Sequence, residues 1–355
     1  MTLIGQKGSA CGHADAVASC WPLWITALVV LSAIACGEGP AGPTPPAGPR
    51  IVCPASQTAQ SLDGQPVTVA FPQPTVTGGA PPVATKCTHE SGGAFGVGTT
   101  NVGCTARDAR QQVDSCAFQI TVEVPPRISA TRFLAFGDSI TYGSSGACVR
   151  SFGGQLLDWP GEDLRSLWAN VVAGSYPSVL QNLLQTRYAA QSPVVTNEGA
   201  PGERVTNSDT LVRLTGKLAE HAPEVLLLQE GVNDLHSLKS PGIPEIVDGL
   251  RALAREARAR GARVFIGTLL PERAGSCRAY HPDLIAPAND QIRAMVAGED
   301  ATLVDLYEAF RGQEGTLLGE DGLHPSAAGY AKIAETFFAT IRQRLEVGSL
   351  ARNVR

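Results

Sequence analysis

Charge is scarce in this chain. Only 17% of its 355 residues are Asp, Glu, Lys or Arg, and 28 basic side chains face 33 acidic ones for a formal net charge of −5. Sequence-independent nucleic-acid binding draws its affinity from surplus Lys and Arg on phosphates, and that surplus is missing, so no nucleic-acid partner is expected. Apolar runs long enough to span a bilayer are also missing: the charge-free run from Trp21 to Ala35 would cover only about 23 Å as a helix, short of the ~30 Å hydrocarbon core. Gly (38) and Pro (25) crowd into particular stretches and do not recur at every third position, and 43% of residues are hydrophobic, which excludes both a collagen-like rod and a wholly disordered chain. None of the nine cysteines forms a C-x-x-C pair, so neither a zinc ribbon nor a thioredoxin-like redox centre is written here. His89-Glu90 lacks the second histidine of H-E-x-x-H, and His13, His221, His236 and His281 show no ligand spacing. No metal and no organic cofactor is expected.

What is present begins with two or three domains' worth of chain. Nine cysteines are many for a reducing compartment and point to an oxidising one. The Trp21–Ala35 run has the length of an export-signal core. The ending Ala33-Ile34-Ala35-Cys36 resembles a bacterial lipobox with Ala33 where Leu is usual, which implies lipidation of Cys36 and a membrane partner through that anchor. Ordinary signal cleavage and a retained short anchor are the alternatives. Residues 1–36 are thus read as an export signal and 37–50 as a tether, because nine of the thirteen residues from Gly37 to Pro49 are Gly or Pro and neither helix nor ladder can propagate through them. The expected location is the bacterial cell envelope as a lipoprotein, or the exterior as a secreted protein.

Residues 51–124 are β-rich, with short runs such as Val67-Thr68-Val69-Ala70-Phe71 and Phe118-Gln119-Ile120-Thr121-Val122 between Pro, Gly and Asn turn signals, and read as a small β-sandwich. The glycines from Gly92 to Gly98 have the wrong order for a dinucleotide loop and no helical pattern follows them, so they read as turn glycines. Cys53-Pro54, Cys87, Ser91-Gly92-Gly93-Ala94-Phe95, Gly98-Thr99-Thr100, Cys104 and Cys116-Ala117-Phe118 resemble the HYR module, an immunoglobulin-like extracellular domain. That resemblance implies an all-β sandwich, a candidate cell-surface glycan or protein ligand, and the disulfides Cys53–Cys116 and Cys87–Cys104.

From residue 128 to 346 short apolar strands alternate with longer amphipathic helices, the pattern of an α/β domain with a parallel sheet. Strands are predicted at Phe133–Phe136, Val194–Thr196, Val225–Gln229, Val264–Thr268 and Thr302–Val304, and helices at Pro177–Tyr188, Val205–Glu220, Glu245–Arg260, Leu284–Val296 and Ser326–Leu345, with 347–355 as a tail. Five strands with four crossovers suit a three-layer flavodoxin-like sandwich, whose ligands gather beyond the C-terminal strand ends.

Four clusters fall at those ends: Gly137-Asp138-Ser139, Asn197-Glu198-Gly199-Ala200-Pro201-Gly202, Gly231-Val232-Asn233-Asp234, and Asp321-Gly322-Leu323-His324-Pro325. A serine hydroxyl becomes nucleophilic when an imidazole takes its proton and a carboxylate fixes the imidazole tautomer, and Ser139, His324 and Asp321 can fill those parts. The tetrahedral intermediate needs donors, which the N–H groups of Ser139 and Gly202 and the side-chain amide of Asn233 can supply. Taken singly each motif is weak, since an Asn-Asp pair is usually a turn. In this order, each at a strand exit, they resemble the blocks of the SGNH or GDSL hydrolases.

That resemblance implies a hydrolase of carboxylic esters, with Ser139 as nucleophile, Asp321 and His324 completing the triad, and Ser139, Gly202 and Asn233 forming the oxyanion hole. A small ester or acylated glycan is the implied substrate. Two features depart from the family pattern: a long connection from Ser144 to Ser175, and Glu203 directly after the oxyanion glycine. Trp159, Trp168 and Tyr176 read either as sugar-stacking rings or as packing. An O-deacetylase of a surface polysaccharide and a non-catalytic adhesion or glycan-binding protein are the rival readings. With Cys11 and Cys20 in the signal and Cys36 lipidated, six cysteines remain, and Cys148 is expected to join Cys277 unless both are separate thiols.

Overall fold

The computed structural model describes residues 47–148 and 174–347. The expected export signal with Cys36, most of the tether, Trp159, Trp168 and nearly all of the tail lie outside the described residues. The buried apolar side chains of the described residues form two separate clusters, one from Ile51 to Val122 and one from Ile128 to Leu345.

The first cluster belongs to eight strands, paired antiparallel except for β2 with β8: β1 (Arg50–Val52), β2 (Gln57–Gln60), β3 (Val67–Val69), β4 (Thr75–Thr77), β5 (Ala84–Cys87), β6 (Gly93–Phe95), β7 (Gly98–Arg107) and β8 (Val113–Glu123). A four-stranded sheet runs β2-β8-β7-β5, with β1-β4 and β3-β6 as two further pairs. Alternation decides the faces: Val102, Cys104 and Ala106 of β7 and Phe118, Ile120 and Val122 of β8 point inward, as a period of two requires. Phe71 sits edge-on to Phe118 with ring centroids 4.9 Å apart. The strand predicted to continue to Phe71 stops at Val69, because the Ser91 hydroxyl takes over both backbone groups of Phe71, accepting from its N–H at 2.8 Å and donating to its carbonyl at 2.7 Å. Disulfides join Cys53 to Cys116 and Cys87 to Cys104, the latter pair directly opposed in the β5–β7 register.

The second cluster fills a doubly wound domain. After β9 (Arg127–Ile128) come β10 (Arg132–Gly137), the single turn α1 (Ser139–Tyr142), α2 (Tyr176–Arg187), β11 (Val194–Gly199), α3 (Ser208–His221), β12 (Val225–Gln229), α4 (Val232–Leu238), α5 (Ile243–Ala259), β13 (Arg263–Gly267), α6 (Pro282–Gly298), β14 (Ala301–Val304), the short α7 (Leu306–Phe310) and α8 (Glu314–Leu317), α9 (Ala327–Leu345) and β15 (Glu346–Val347). The sheet is parallel throughout with order β11-β10-β12-β13-β14, which is the flavodoxin-like order. β12, Val-Leu-Leu-Leu-Gln, is buried along its whole length, as a central parallel strand covered by helices on both faces must be. α2 packs on α9, while α5 packs on α3 and α6, giving the two outer layers. Tyr176 is fully buried and stacks on Phe337 of α9 at 5.3 Å, so this ring is packing and not a sugar platform.

One predicted helix starts elsewhere for an identifiable reason, and one short helix was not predicted. α3 begins at Ser208 and not Val205, because the Asp234 carboxylate binds the N–H groups of Val205 (2.9 Å) and Thr206 (3.0 Å) and holds them in a loop. The Asn233-Asp234 pair, a turn signal when read alone, lies inside α4.

Candidate active site

Three of the polar clusters converge because β10, β11 and β12 end side by side, Gly137 opposite Gly199 and Gln229. The Asp321–His324 cluster, expected at a strand end, instead follows α7 and α8, and its loop folds back onto the segment after α1, where Asp321 N–H donates to the Gly146 carbonyl. Gly137 is required there: a Cβ would come within 2.0 Å of the Gln229 carbonyl and 2.3 Å of Thr141 Oγ1. Asp138 then caps α1, its Oδ1 accepting from Ile140 N–H at 2.9 Å. Ser139 is the first residue of that turn, where backbone N–H groups have no intrahelical acceptor.

Ser139 Oγ lies 2.9 Å from His324 Nε2, and His324 Nδ1 lies 2.6 Å from Asp321 Oδ2. All three are nearly sealed, Ser139 being the most exposed at 7%. The other Asp321 oxygen accepts from the N–H groups of Leu323 (3.0 Å) and His324 (2.9 Å). Burial opposes the Asp321 charge, but the His324 ring and these two donors outweigh it and hold its pKa below the ordinary carboxylate value. Asp321 therefore stays ionised and orients the imidazole.

Neighbouring segments fix this loop. Arg273 donates to the carbonyls of Gly319 (2.7 Å) and Glu320 (3.0 Å), Arg278 N–H to the Asp321 carbonyl (2.9 Å), and Asp321 N–H to the Gly146 carbonyl (3.0 Å). The Cys148–Cys277 disulfide ties the two flanking segments to each other. The disulfide is the pairing expected from the cysteine count, whereas neither arginine stands in a recognisable motif and their contacts had no signal in the sequence.

Gly202 follows β11, and Asn233 stands in the first turn of α4. Gly202 has φ +82°, and a Cβ there would meet nothing within 4 Å, so the glycine answers a backbone requirement and not internal crowding. Asn233 Nδ2 donates to the Glu203 carbonyl at 2.9 Å. The Glu203 carboxylate is paired with the Arg213 guanidinium.

Burial pushes the Asp138 carboxyl up to about 7, helped by the charges of Asp234 and Glu203 and resisted by the Ile140 N–H. Glu230, with both carboxylate oxygens buried and unpartnered, is raised well above the ordinary value by burial and then by the negative charge of Asp138, Glu203 and Asp234. Among the described residues Glu198, Glu220 and His221 alone come together as metal-ligating groups. Lys217 already pairs with both carboxylates, its Nζ 3.1 Å from Glu198 and 2.9 Å from Glu220. His236 pairs with the buried Glu272 at 2.5 Å.

Residues 135–332 match the GDSL-like lipase/acylhydrolase family model. The chain belongs to the GDSL-like lipase/acylhydrolase family. Like the family, it is a hydrolase acting on ester bonds. Residues 44–122 match the HYR domain. Over 167 residues the GDSL-like chain is 30% identical to Esterase TesA of Pseudomonas aeruginosa, covering 46% of this chain and 78% of that protein. Among solved structures it is similar to LAE5, an alpha/beta hydrolase enzyme from the metagenome of Lake Arreo in Spain (20% identity, 61% of this chain, 96% of that chain, TM-score 0.47). It is also similar to Axe2, an acetylxylan esterase from Geobacillus stearothermophilus (22% identity, 60% of this chain, 95% of that chain, TM-score 0.44).

Proposed function

We propose that this GDSL-like hydrolase is an exported serine esterase that cleaves carboxylic esters through an acyl-enzyme on Ser139. The observation that carries the reading is the continuous relay from Asp321 through His324 to Ser139, with contacts of 2.6 and 2.9 Å. With its proton on Nδ1 and donated to Asp321, His324 accepts the Ser139 hydroxyl proton at Nε2 as Oγ attacks the ester carbonyl carbon. The N–H groups of Ser139 and Gly202 and the Asn233 amide receive the negative oxygen. Collapse expels the alcohol, which takes the proton back from His324. Water, deprotonated by the same imidazole, then releases the acid and restores Ser139.

Export is supported by three disulfides and by the match to an HYR domain. The anchor is Cys36: the lipidated protein partitions into detergent with a mass increment on an N-terminal Cys36, and Cys36→Ala leaves it unprocessed or soluble. A surface protein that still carries Met1 refutes this. The HYR-like module is assigned a surface glycan or protein as ligand.

The decisive measurement is turnover of activated esters of rising acyl length and of acetylated glycan, together with labelling by a serine-directed phosphonate. The adduct is expected on Ser139, and Ser139→Ala is expected to lose nearly all activity with its fold intact. Asp321→Asn is expected to be strongly impaired because the imidazole is left in the wrong tautomer. Wild-type turnover in Ser139→Ala would sink the mechanism.

A further inference from the structure

Glu203 departs from the family pattern, and its surroundings give it work. It stands in the irregular segment between β11 and α3, directly after Gly202. Arg213 of α3 grips its carboxylate two-pronged, Nε donating to Oε1 at 2.7 Å and the second prong reaching Oε2. The same guanidinium donates to the Glu198 carbonyl near the end of β11 at 3.0 Å and lies 3.8 Å over the ring of Phe136, three residues before Ser139. One cation thus joins α3, the end of β11, the face of β10 and the segment carrying Gly202. α3 is itself fixed by its buried Leu214 and Leu218.

The Glu203 carbonyl, held at the other end of the same residue, accepts one of the two Asn233 amide hydrogens at 2.9 Å. A side-chain amide is planar, so fixing one N–H direction fixes the other. Without that acceptor the terminal torsion of asparagine is broad. We propose that the Glu203–Arg213 ion pair is the positioning device of the oxyanion hole: by holding the Glu203 carbonyl it aims the free Asn233 N–H at the developing oxyanion, a role that rests on the serine-esterase reading above.

Arg213 and Glu203 touch no reacting atom in this scheme, so both act through Asn233. The charge balance is consistent with that role. Glu203 lies close enough to Asp138 and Glu230 to raise both their pKa values, and Arg213 is the cation that offsets Glu230.

The test is a double-mutant cycle on the full chain, read as kcat and KM for a soluble activated ester, with thermal melting followed in parallel. Arg213→Gln is expected to lower kcat about tenfold with KM unchanged, a fraction of what removing a whole donor costs. Arg213→Lys keeps the charge without the fork and is expected to fall between it and wild type. In an Asn233→Ala background Arg213→Gln is expected to have no further effect, because the amide it aims is gone. If Arg213→Gln fails to fold, Glu203→Gln and Arg213→Lys complete the same cycle. Wild-type kcat in the Arg213 and Glu203 variants, a loss confined to KM, or losses that multiply with Asn233→Ala overturn the clamp alone. Wild-type kcat in Asn233→Ala overturns the oxyanion reading beneath it, and the clamp with it.

Discussion

At the residue scale the site is built against the solvation preferences of its own side chains. Glu230 carries a carboxyl into the interior at 1% exposure with neither oxygen partnered, beside Asp138, Asp234 and Glu203. A carboxyl in that setting is held neutral, so its pKa in the folded protein lies above that in the unfolded chain. The sign follows: between those two pKa values the folded state holds a proton that the unfolded chain has released, and stability falls as pH rises, by about 1.4 kcal/mol per pH unit. Glu230→Gln removes the titration. Its denaturant midpoint relative to wild type is therefore expected to climb as pH rises above the ordinary carboxylate range, and a gap independent of pH would refute the buried neutral acid.

At the element scale the decisive feature is a pair of loops, not a strand or a helix. The loop after β13 and the segment after α1 both lean on the stretch that carries Asp321 and His324, and the disulfide Cys148–Cys277 links them across 129 residues of sequence. Such a bond constrains loops that the sheet does not hold. Reduction, or Cys148→Ser with Cys277→Ser, is expected to lower kcat at temperatures well below the melting of the β/α core. Circular dichroism and activity followed through one thermal ramp check this, and coincident losses would count against it.

For the whole molecule, the described residues form two separate cores, and one candidate site belongs to the second. Each residue of the candidate site lies between Gly137 and His324, and none comes from the β-rich module. The last strand closes the hydrolase domain on itself: β15 pairs antiparallel with β9, and Glu346 binds Arg187 through two contacts of 2.7 Å. A chain beginning at Pro125, which keeps β9, is expected to hydrolyse a soluble ester with the kcat of the full chain. A collapse of kcat in the folded, truncated chain would mean that the module takes part in catalysis.

Much of this was legible in the amino-acid order because the signals are local. Continuous apolar strands such as Val225–Gln229, prolines near the starts of α2 and α5, and glycine at 137 and 202 each report a constraint that the residue and its near neighbours impose. Three of the clusters were readable because a parallel sheet places every strand end on one rim, whereas the Asp321–His324 cluster follows α8 and reaches the rim only through the fold. What the tertiary structure decided involves partners far apart in the chain. Arg273 and Arg278 on the triad loop, Asp234 on the start of α3, and Arg213 on Glu203 depend on where a helix or loop lands after folding. An arginine in an amphipathic helix reads as a solvated face until the fold sets a carboxylate beside it. The sequence by itself therefore determined the sheet, its rim and which polar side chains meet there, whereas the contacts that hold those side chains came from long-range packing, which no local pattern encodes.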